Sequence, residues 1–110
     1  MKIAIVLKSG PSSVEAQRAL QVTSDMMSRG DTVHLYLLQD AVHLSRPDLK
    51  TGLTGTFDRQ VDKGLQVSYL TTDAELRGLD MSAVPDKISG GTYETLVDLM
   101  TSSDRVIGML

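Results

Sequence analysis

Cysteine is absent from the 110-residue sequence. A thiolate is the nucleophile and the sulfur acceptor in sulfur-transfer chemistry, and serine, threonine and methionine cannot hold a transferable persulfide. The composition therefore argues against cysteine-based chemistry by this chain alone. It also removes disulfides as a guide to the cellular compartment.

Aromatic and clustered basic residues are missing as well. One phenylalanine, three tyrosines and no tryptophan make a base-stacking platform for nucleic acid unexpected. The 11 lysines and arginines are scattered along the chain, and the formal net charge is -3. We therefore predict neither direct nucleic-acid binding nor attraction to anionic membranes.

Long apolar runs are also lacking. The opening run Ile3–Leu7 is followed at once by Ser9, Gly10 and Pro11, which is too early for a secretory signal. No run approaches the roughly 20 apolar residues of a membrane span. At 41% hydrophobic residues the chain can fill one core and is too short for two. We expect a single domain over residues 1–110 in a cytoplasmic protein without a membrane segment.

Four segments have the composition of buried strands. Continuous β-branched and apolar runs, bounded by turn residues, are typical of parallel strands that are covered on both faces. The four predicted strands are Ile3–Leu7, Thr32–Leu38, Leu65–Leu70 and Arg105–Met109.

Two helices have recognisable boundaries. Ser12 lies three residues before Glu15, which is the spacing of a capping box, and Gly30 is a natural C-terminal stop. Thr92 is the candidate cap of the second helix. Apolar residues then follow at helical spacing: Tyr93, Leu96, Val97 and Met100.

The remaining segments are less regular. Residues 41–56 are predicted to form a loop with a short helical turn, and residues 57–63 a brief helix. Residues 71–79 are predicted to form a turn and a short helix that Gly78 ends. Residues 81–91 contain Pro85 and two adjacent glycines and are predicted to be irregular.

Alternation of strands and helices predicts an α/β fold. We expect a three-layer sandwich with a mainly parallel sheet of four to five strands and flavodoxin-like winding. Ligands of such sheets bind beyond the carboxyl ends of the strands. This rule selects three loops as candidate sites: Ser9–Gly10, Gln39–Asp40 and Thr71–Asp73.

None of these loops carries a complete catalytic or nucleotide-binding motif. Ser9–Ser13 precedes a helix and could hold an anion, but it matches no glycine-rich phosphate motif, and helix capping is favoured. His34 and His43 with Asp40 would begin a metal site, yet no third ligand is evident, so neither metal nor cofactor is predicted. Asp73 is expected to be solvated at a helix start.

Four short motifs, spread over essentially the whole length, resemble the DsrE/DsrF/DsrH (TusD/TusC/TusB) sulfur-relay family. The first is the opening strand followed by Ser9–Gly10 and a long helix. The others are Leu37–Val42, Leu76–Leu79 and Ser103–Ile107. The resemblance implies a parallel-sheet α/β fold, assembly into trimers or hexamers, and persulfide transfer in tRNA thiolation or sulfur oxidation.

The resemblance also implies a position for the sulfur carrier. In active subunits the carrier cysteine ends the strand before an Arg-Gly motif, which corresponds here to Arg77–Gly78. That position falls at Leu70, or at Thr71 if the loop differs by one residue. We expect a cysteine introduced at Leu70 to be accessible in the folded protein.

Three functions remain open from the sequence. The first is a cysteine-free structural or partner-binding subunit, possibly with sulfur-relay partners. The second is a small-ligand-binding module at the strand ends, and the third is an enzyme that uses hydroxyl or carboxylate chemistry there. The residues proposed for the ligand site are Ser9, Gly10, Asp40, Leu70, Thr71 and Thr72.

A homo-oligomer, a trimer or a hexamer, is expected. A small α/β unit has a limited core and gains stability when neighbouring copies cover apolar loops. The apolar residues that are difficult to place in one small core are Leu49, Leu53, Phe57, Met81, Val84 and Ile88.

Overall fold

Parallel pairing of five strands organises the chain in the computed structural model. The structure describes residues 1–45, 52–82, 84 and 87–109, with side chains from residue 55 onward in the second helix. Its elements follow in chain order: β1 Lys2–Leu7, α1 Val14–Ser28, β2 Thr32–Leu37, a 3₁₀ helix Gln39–Ser45, α2 Gly52–Asp62, β3 Gln66–Leu70, α3 Thr71–Leu76, β4 Ile88–Gly91, α4 Tyr93–Ser102 and β5 Arg105–Met109.

The sheet is wound in two directions. Its strand order is β4-β3-β2-β1-β5, and every pair is parallel. The chain moves from β1 to β4 in one direction, and α4 then carries it back to the opposite edge beside β1. Because right-handed crossovers in opposite directions place their helices on opposite faces, α4 covers the face that α1 and α2 leave open. This arrangement confirms the predicted α/β sandwich.

The three central strands, β1, β2 and β3, contribute to two hydrophobic clusters on opposite faces of the sheet. In β1, Ile3, Ile5 and Leu7 belong to the cluster that contains the buried residues of α1 and α2. Ala4 and Val6 point to the other face, as the two-residue period of a strand requires. The smaller cluster is completed by Tyr36, Leu70, Leu96 and Leu99.

The cap of α1 is one residue later than predicted. Ser13, not Ser12, accepts the backbone N–H of Ala16 at 3.1 Å, and its hydroxyl donates to the carbonyl of Gly10 at 2.6 Å. The prediction of a capping box between Ser12 and Glu15 is therefore wrong. The predicted stop is confirmed, since the helix ends at Ser28 and Gly30 follows with φ +89°.

β4 was not predicted, because residues 88–91 carry little strand propensity of their own. Only Ile88 is apolar and two of the four residues are glycines. Pairing with β3 forms the strand, in the register Val67 to Ile88 through Leu70 to Gly91. Tertiary pairing thus decides the structure of this segment.

The apolar residues that seemed to lack a place lie within the protomer. Phe57 and Ile88 are buried in the larger cluster, and Met81 and Val84 pack against it. Leu49 and the side chain of Leu53 lie outside the described residues. The expectation that these residues present an apolar surface is therefore wrong for Phe57 and Ile88, whereas Met81 and Val84 remain partly exposed.

A hydrogen-bonded clamp fixes the start of α4 to the sheet. The buried Tyr36 hydroxyl donates to the carbonyl of Thr92 at 2.8 Å and lies 3.0 Å from Thr95 Oγ1. Thr92 and Thr95 form a capping box, which confirms Thr92 as the cap. Burial raises the pKa of Tyr36 above its ordinary value, and the Thr95 hydrogen bond partly offsets this effect.

Within the part of the chain that the structure describes, no helix combines the length and the apolarity needed to cross a bilayer.

Gly91 leaves the space that the clamp between Tyr36 and Thr95 occupies, because a Cβ at this position would overlap Tyr36 Oη and Thr95 Oγ1. We expect Gly91→Ala to lower the free energy of unfolding by about 1–3 kcal/mol through overpacking. Urea denaturation followed by circular dichroism measures this change. Gly55→Ala is the control: it lies in α2 near only Arg59 Nη1, at 3.5 Å, and should stabilise the protein by up to about 1 kcal/mol. Equal effects of the two substitutions would contradict the clamp.

Candidate functional site at the carboxyl ends of the strands

Three loops meet where β1, β2 and β3 end. Because the strands are parallel, their carboxyl ends share one edge of the sheet. Backbone hydrogen bonds join the first two ends: Leu38 N–H donates to the carbonyl of Leu7 at 2.9 Å, and Ala41 N–H donates to that of Lys8 at 3.3 Å. The 3₁₀ helix therefore begins directly beside the loop that contains Ser9 and Gly10.

Gly10 and Asp40 are neighbours at this edge. A Cβ on Gly10 would lie 3.6 Å from Asp40 Cβ, which is an ordinary van der Waals distance. Ser9 is half-buried in the same loop. The structure thus brings together the candidate residues that follow β1 and β2.

Asp73 holds the turn that ends β2. Its Oδ2 accepts the backbone N–H of Gln39 at 2.7 Å, and Gln39 has a left-handed φ of +48°. Asp73 is buried, so the expectation that it is solvated is wrong. A carboxylate that accepts a backbone N–H at this turn compensates part of the cost of the unusual conformation.

Arg77 joins the second and third loops. Its Nε donates to Asp40 Oδ1 at 3.0 Å, and its Nη1 donates to the carbonyl of Asp73 at 3.2 Å. Asp73 Oδ1 lies 3.9 Å from the same Nη1. One guanidinium thus faces two carboxylates, and the resulting network ties α3 to the 3₁₀ helix. Because Asp40 is largely exposed, the ion pair contributes little stability by itself.

The third loop divides between two faces of the sheet. Leu70 is only 1% exposed and belongs to the cluster under α4, so the expectation of an accessible side chain there is wrong. Thr71 is partly exposed, and its Oγ1 donates to the carbonyl of Gly91 at 3.1 Å. Thr72 is exposed at the start of α3. Thr71 is therefore the more accessible of the two possible carrier positions.

The histidines do not join this edge in a metal site. His34 lies on β2, where its Nε2 is 2.8 Å from Ser68 Oγ, whereas His43 lies in the 3₁₀ helix. Burial and the nearby Lys2 lower the pKa of His34, and hydrogen bonding with Gln66 opposes this shift. Among the described residues, no three histidine or acidic side chains are close enough to share a metal ion.

Removing the Asp73 carboxylate should destabilise the site. We expect Asp73→Ala to lower the free energy of unfolding by about 1.5–3 kcal/mol, because the Gln39 N–H loses a charged acceptor. Asp73→Asn should cost less, since its amide oxygen can still accept. Chemical denaturation of both variants measures the difference. Glu75→Ala, at an exposed position of the same helix, should change stability by less than about 0.5 kcal/mol. Equal effects of Asp73→Ala and Glu75→Ala would contradict the assigned role.

Solved structures with the same fold cover nearly the whole chain. The ychN protein from E. coli superposes with a TM-score of 0.88 at 22% identity, over 98% of both chains. The protein MTH1491 from Methanobacterium thermoautotrophicum gives a TM-score of 0.82 at 10% identity, over 97% of both chains. BT1422 from Bacteroides thetaiotaomicron gives 0.77 at 12% identity, over 97% of this chain and 93% of that one. At these identities the likeness shows the fold.

The sequence itself decides the family. A comparison with curated proteins gave no significant match. The model of the DsrH like protein family, in contrast, matches residues 12–106. This match includes β2 to β4, the Arg77 network and α4, and it agrees with the resemblance seen in the short motifs. The chain belongs to the DsrH-like family.

Proposed function

We propose that this DsrH-like protein is a non-catalytic subunit that binds partner proteins in a cytoplasmic sulfur-relay assembly. Its family membership supports the setting, because the family resemblance implies relay complexes. The absence of cysteine from the sequence is the observation that carries the non-catalytic role. Leu70 and Thr71 occupy the positions where a carrier cysteine would be expected, and neither side chain forms a persulfide.

A subunit of this kind needs a contact surface, and α4 offers one. Tyr93 is 63% exposed, Val97 is 55% exposed, and Met100 is exposed as well. At 3.6 residues per turn these three side chains share one flank of the helix. Val97 and Tyr93 line a shallow surface groove of about 360 Å³ together with Glu94 and Asp98.

The apolar flank is directed toward β5. Thr95 lies on the opposite flank, where it contacts Tyr36 of β2, and β5 lies on the other side of β1 from β2. Val106 of β5, on the same face of the sheet, is 42% exposed. The flank of α4 and Val106 therefore form one apolar surface beside an edge strand.

We propose that copies of this chain associate through this surface into a trimer or a hexamer. Contiguous exposed apolar side chains on a small protein usually mark an interface. An edge strand beside them has backbone groups that a neighbour can pair. The proposal moves the expected interface to α4 and β5, because Phe57 and Ile88 are buried and Met81 and Val84 are partly covered by the core.

Small-ligand binding at the strand ends is the second proposal. It is supported by the adjacency of Gly10 and Asp40 and by the partly exposed Arg77 between two carboxylates. Ser9 and the two threonines after β3 would supply hydroxyl groups. The observation that would distinguish this function is an ordered small molecule in contact with these residues.

Sulfur loading tests the absence of a carrier. Incubation with an inorganic polysulfide, followed by intact mass measurement, should leave the wild type unchanged. Thr71→Cys should take up sulfur because its side chain is accessible, whereas Leu70→Cys should react slowly until the protein is denatured. A stable gain of sulfur on the wild type that passes to a thiol acceptor would overturn the non-catalytic role.

Light scattering on a sizing column tests the assembly. We expect the wild type to have a mass three or six times the 11.9 kDa of one chain. Val97→Asp should shift this mass toward the single chain, because it places a charge in the apolar surface. Val14→Asp is the matched control, since Val14 is also exposed but lies on α1. A wild type of 11.9 kDa would refute self-association, and an unchanged mass for Val97→Asp would refute this interface.

A further inference from the structure

Three neighbouring strands place polar side chains in a row on the face that α4 covers only in part. His34 Nε2 on β2 lies 2.8 Å from Ser68 Oγ on β3. Ser68 Oγ in turn lies 3.0 Å from Ser89 Oγ on β4. Parallel pairing fixes this order, because Ser68 is directly opposite Ser89 and His34 lies on the adjacent strand.

Burial changes along the row. Ser68 is 7% exposed and His34 is half-buried, whereas Ser89 is exposed on the edge strand. A reagent in solution therefore reaches Ser89, whereas Ser68 is shielded from solvent and His34 is only partly exposed. The row connects a surface hydroxyl to an imidazole through one bridging hydroxyl.

His34 is uncharged at neutral pH, so its ring has a nitrogen that can accept a hydrogen bond. Burial and Lys2 on β1 lower its pKa below the ordinary value of 6.5, and hydrogen bonding with the neutral Gln66 on β3 opposes the shift. The neutral imidazole with its hydrogen on Nδ1 leaves Nε2 free to accept from Ser68. Ser68 can then accept from Ser89, so that all three groups form one directed chain.

We propose that Ser89 is an acyl-accepting nucleophile, served by the Ser68–His34 relay, for activated esters and thioesters. Ser89 Oγ attacks the acyl carbon, its proton passes to Ser68 Oγ, and the Ser68 proton passes to His34 Nε2. The bond from the acyl carbon to the leaving oxygen or sulfur breaks as a new ester bond forms. The proton returns from the imidazolium through the Ser68 hydroxyl to the leaving oxygen or sulfur, so the step balances without a redox partner.

The shape of the surface indicates a modification site rather than a turnover enzyme. Ser89 lies on the face of an edge strand, beside the exposed Gly90. The relay supplies a proton acceptor, and water solvates the oxyanion. Because Ser89 is the one exposed hydroxyl of the row, we expect one acyl group per chain. This activity goes beyond the proposed role in protein assembly and requires no cysteine.

The experiment uses p-nitrophenyl acetate and the full wild-type chain. Intact mass and peptide mapping should find one acetyl group, attached to Ser89, at a rate above that of the exposed Ser12 and Ser28. Ser89→Ala should abolish acetylation at this position. The rate should fall as the pH is lowered through the titration of His34.

Variants of Ser68 and His34 test whether the reactivity of Ser89 depends on the relay or only on its exposure to solvent. Ser68→Ala should slow Ser89 acetylation by about 100-fold, the lower end of the usual contribution of general-base catalysis. His34→Gln should slow it similarly and remove the fall in rate below pH 6.5, because the pKa of His34 is lowered from that value. Ser68→Thr retains a hydroxyl and should keep much of the rate. If Ser68→Ala fails to fold, the rates of Ser68→Thr and His34→Gln still test the relay.

Several outcomes would overturn the proposal. One is acetylation of Ser89 no faster than that of Ser12 or Ser28. Another is an unchanged rate in folded Ser68→Ala and His34→Gln, which would reduce the row to a structural contact. Exclusive acetylation of lysines or of His34 would also overturn it, because the acyl group would not have reached the serine.

Discussion

The helix α4 is too small to cover the face of the five-stranded sheet on which it packs. This difference in size decides which side chains on that face stay exposed. Among the elements that the structure describes, the reverse crossover places α4 alone on that face. A helix of 10 residues is about 15 Å long and about 10 Å wide. Five strands spaced about 4.8 Å apart extend over roughly 19 Å between the outer axes. Parts of the sheet on both sides of α4 are therefore left uncovered.

The two uncovered parts differ in chemistry because their side chains differ. Toward β5, Val106 and the flank of α4 leave apolar surface in water, which favours contact with another chain. Toward β4, His34, Ser68 and Ser89 satisfy one another by hydrogen bonds and tolerate water. The clamp of Tyr36 to the capping box of α4 fixes the helix between these regions, so that neither is covered by a shift of α4.

Much of the fold was predictable because it rests on local patterns. Buried apolar runs gave the strands beginning near residues 2, 32, 66 and 105, and Thr92 marked the start of α4. The prediction failed where a partner distant in sequence decides the structure. Ile88–Gly91 becomes a strand only by pairing with β3. The cap of α1 was missed for a local reason, because Ser12 and Ser13 are adjacent and only the backbone geometry selects Ser13. Gly10 and Asp40 were expected at one edge, but the Arg77 bridge was not.

The sequence by itself determined that the chain has no thiol and that strands alternate with helices. Composition and local periodicity suffice for these two features, because each depends on residues that are near neighbours in the chain. The shared edge of the three loops then followed from the general rule for parallel sheets. Only the tertiary structure decided which face of the sheet receives Leu70, that Asp73 holds Gln39, and that His34 reaches Ser89 through Ser68. These contacts join residues far apart in sequence, and their partners are set by strand order and register.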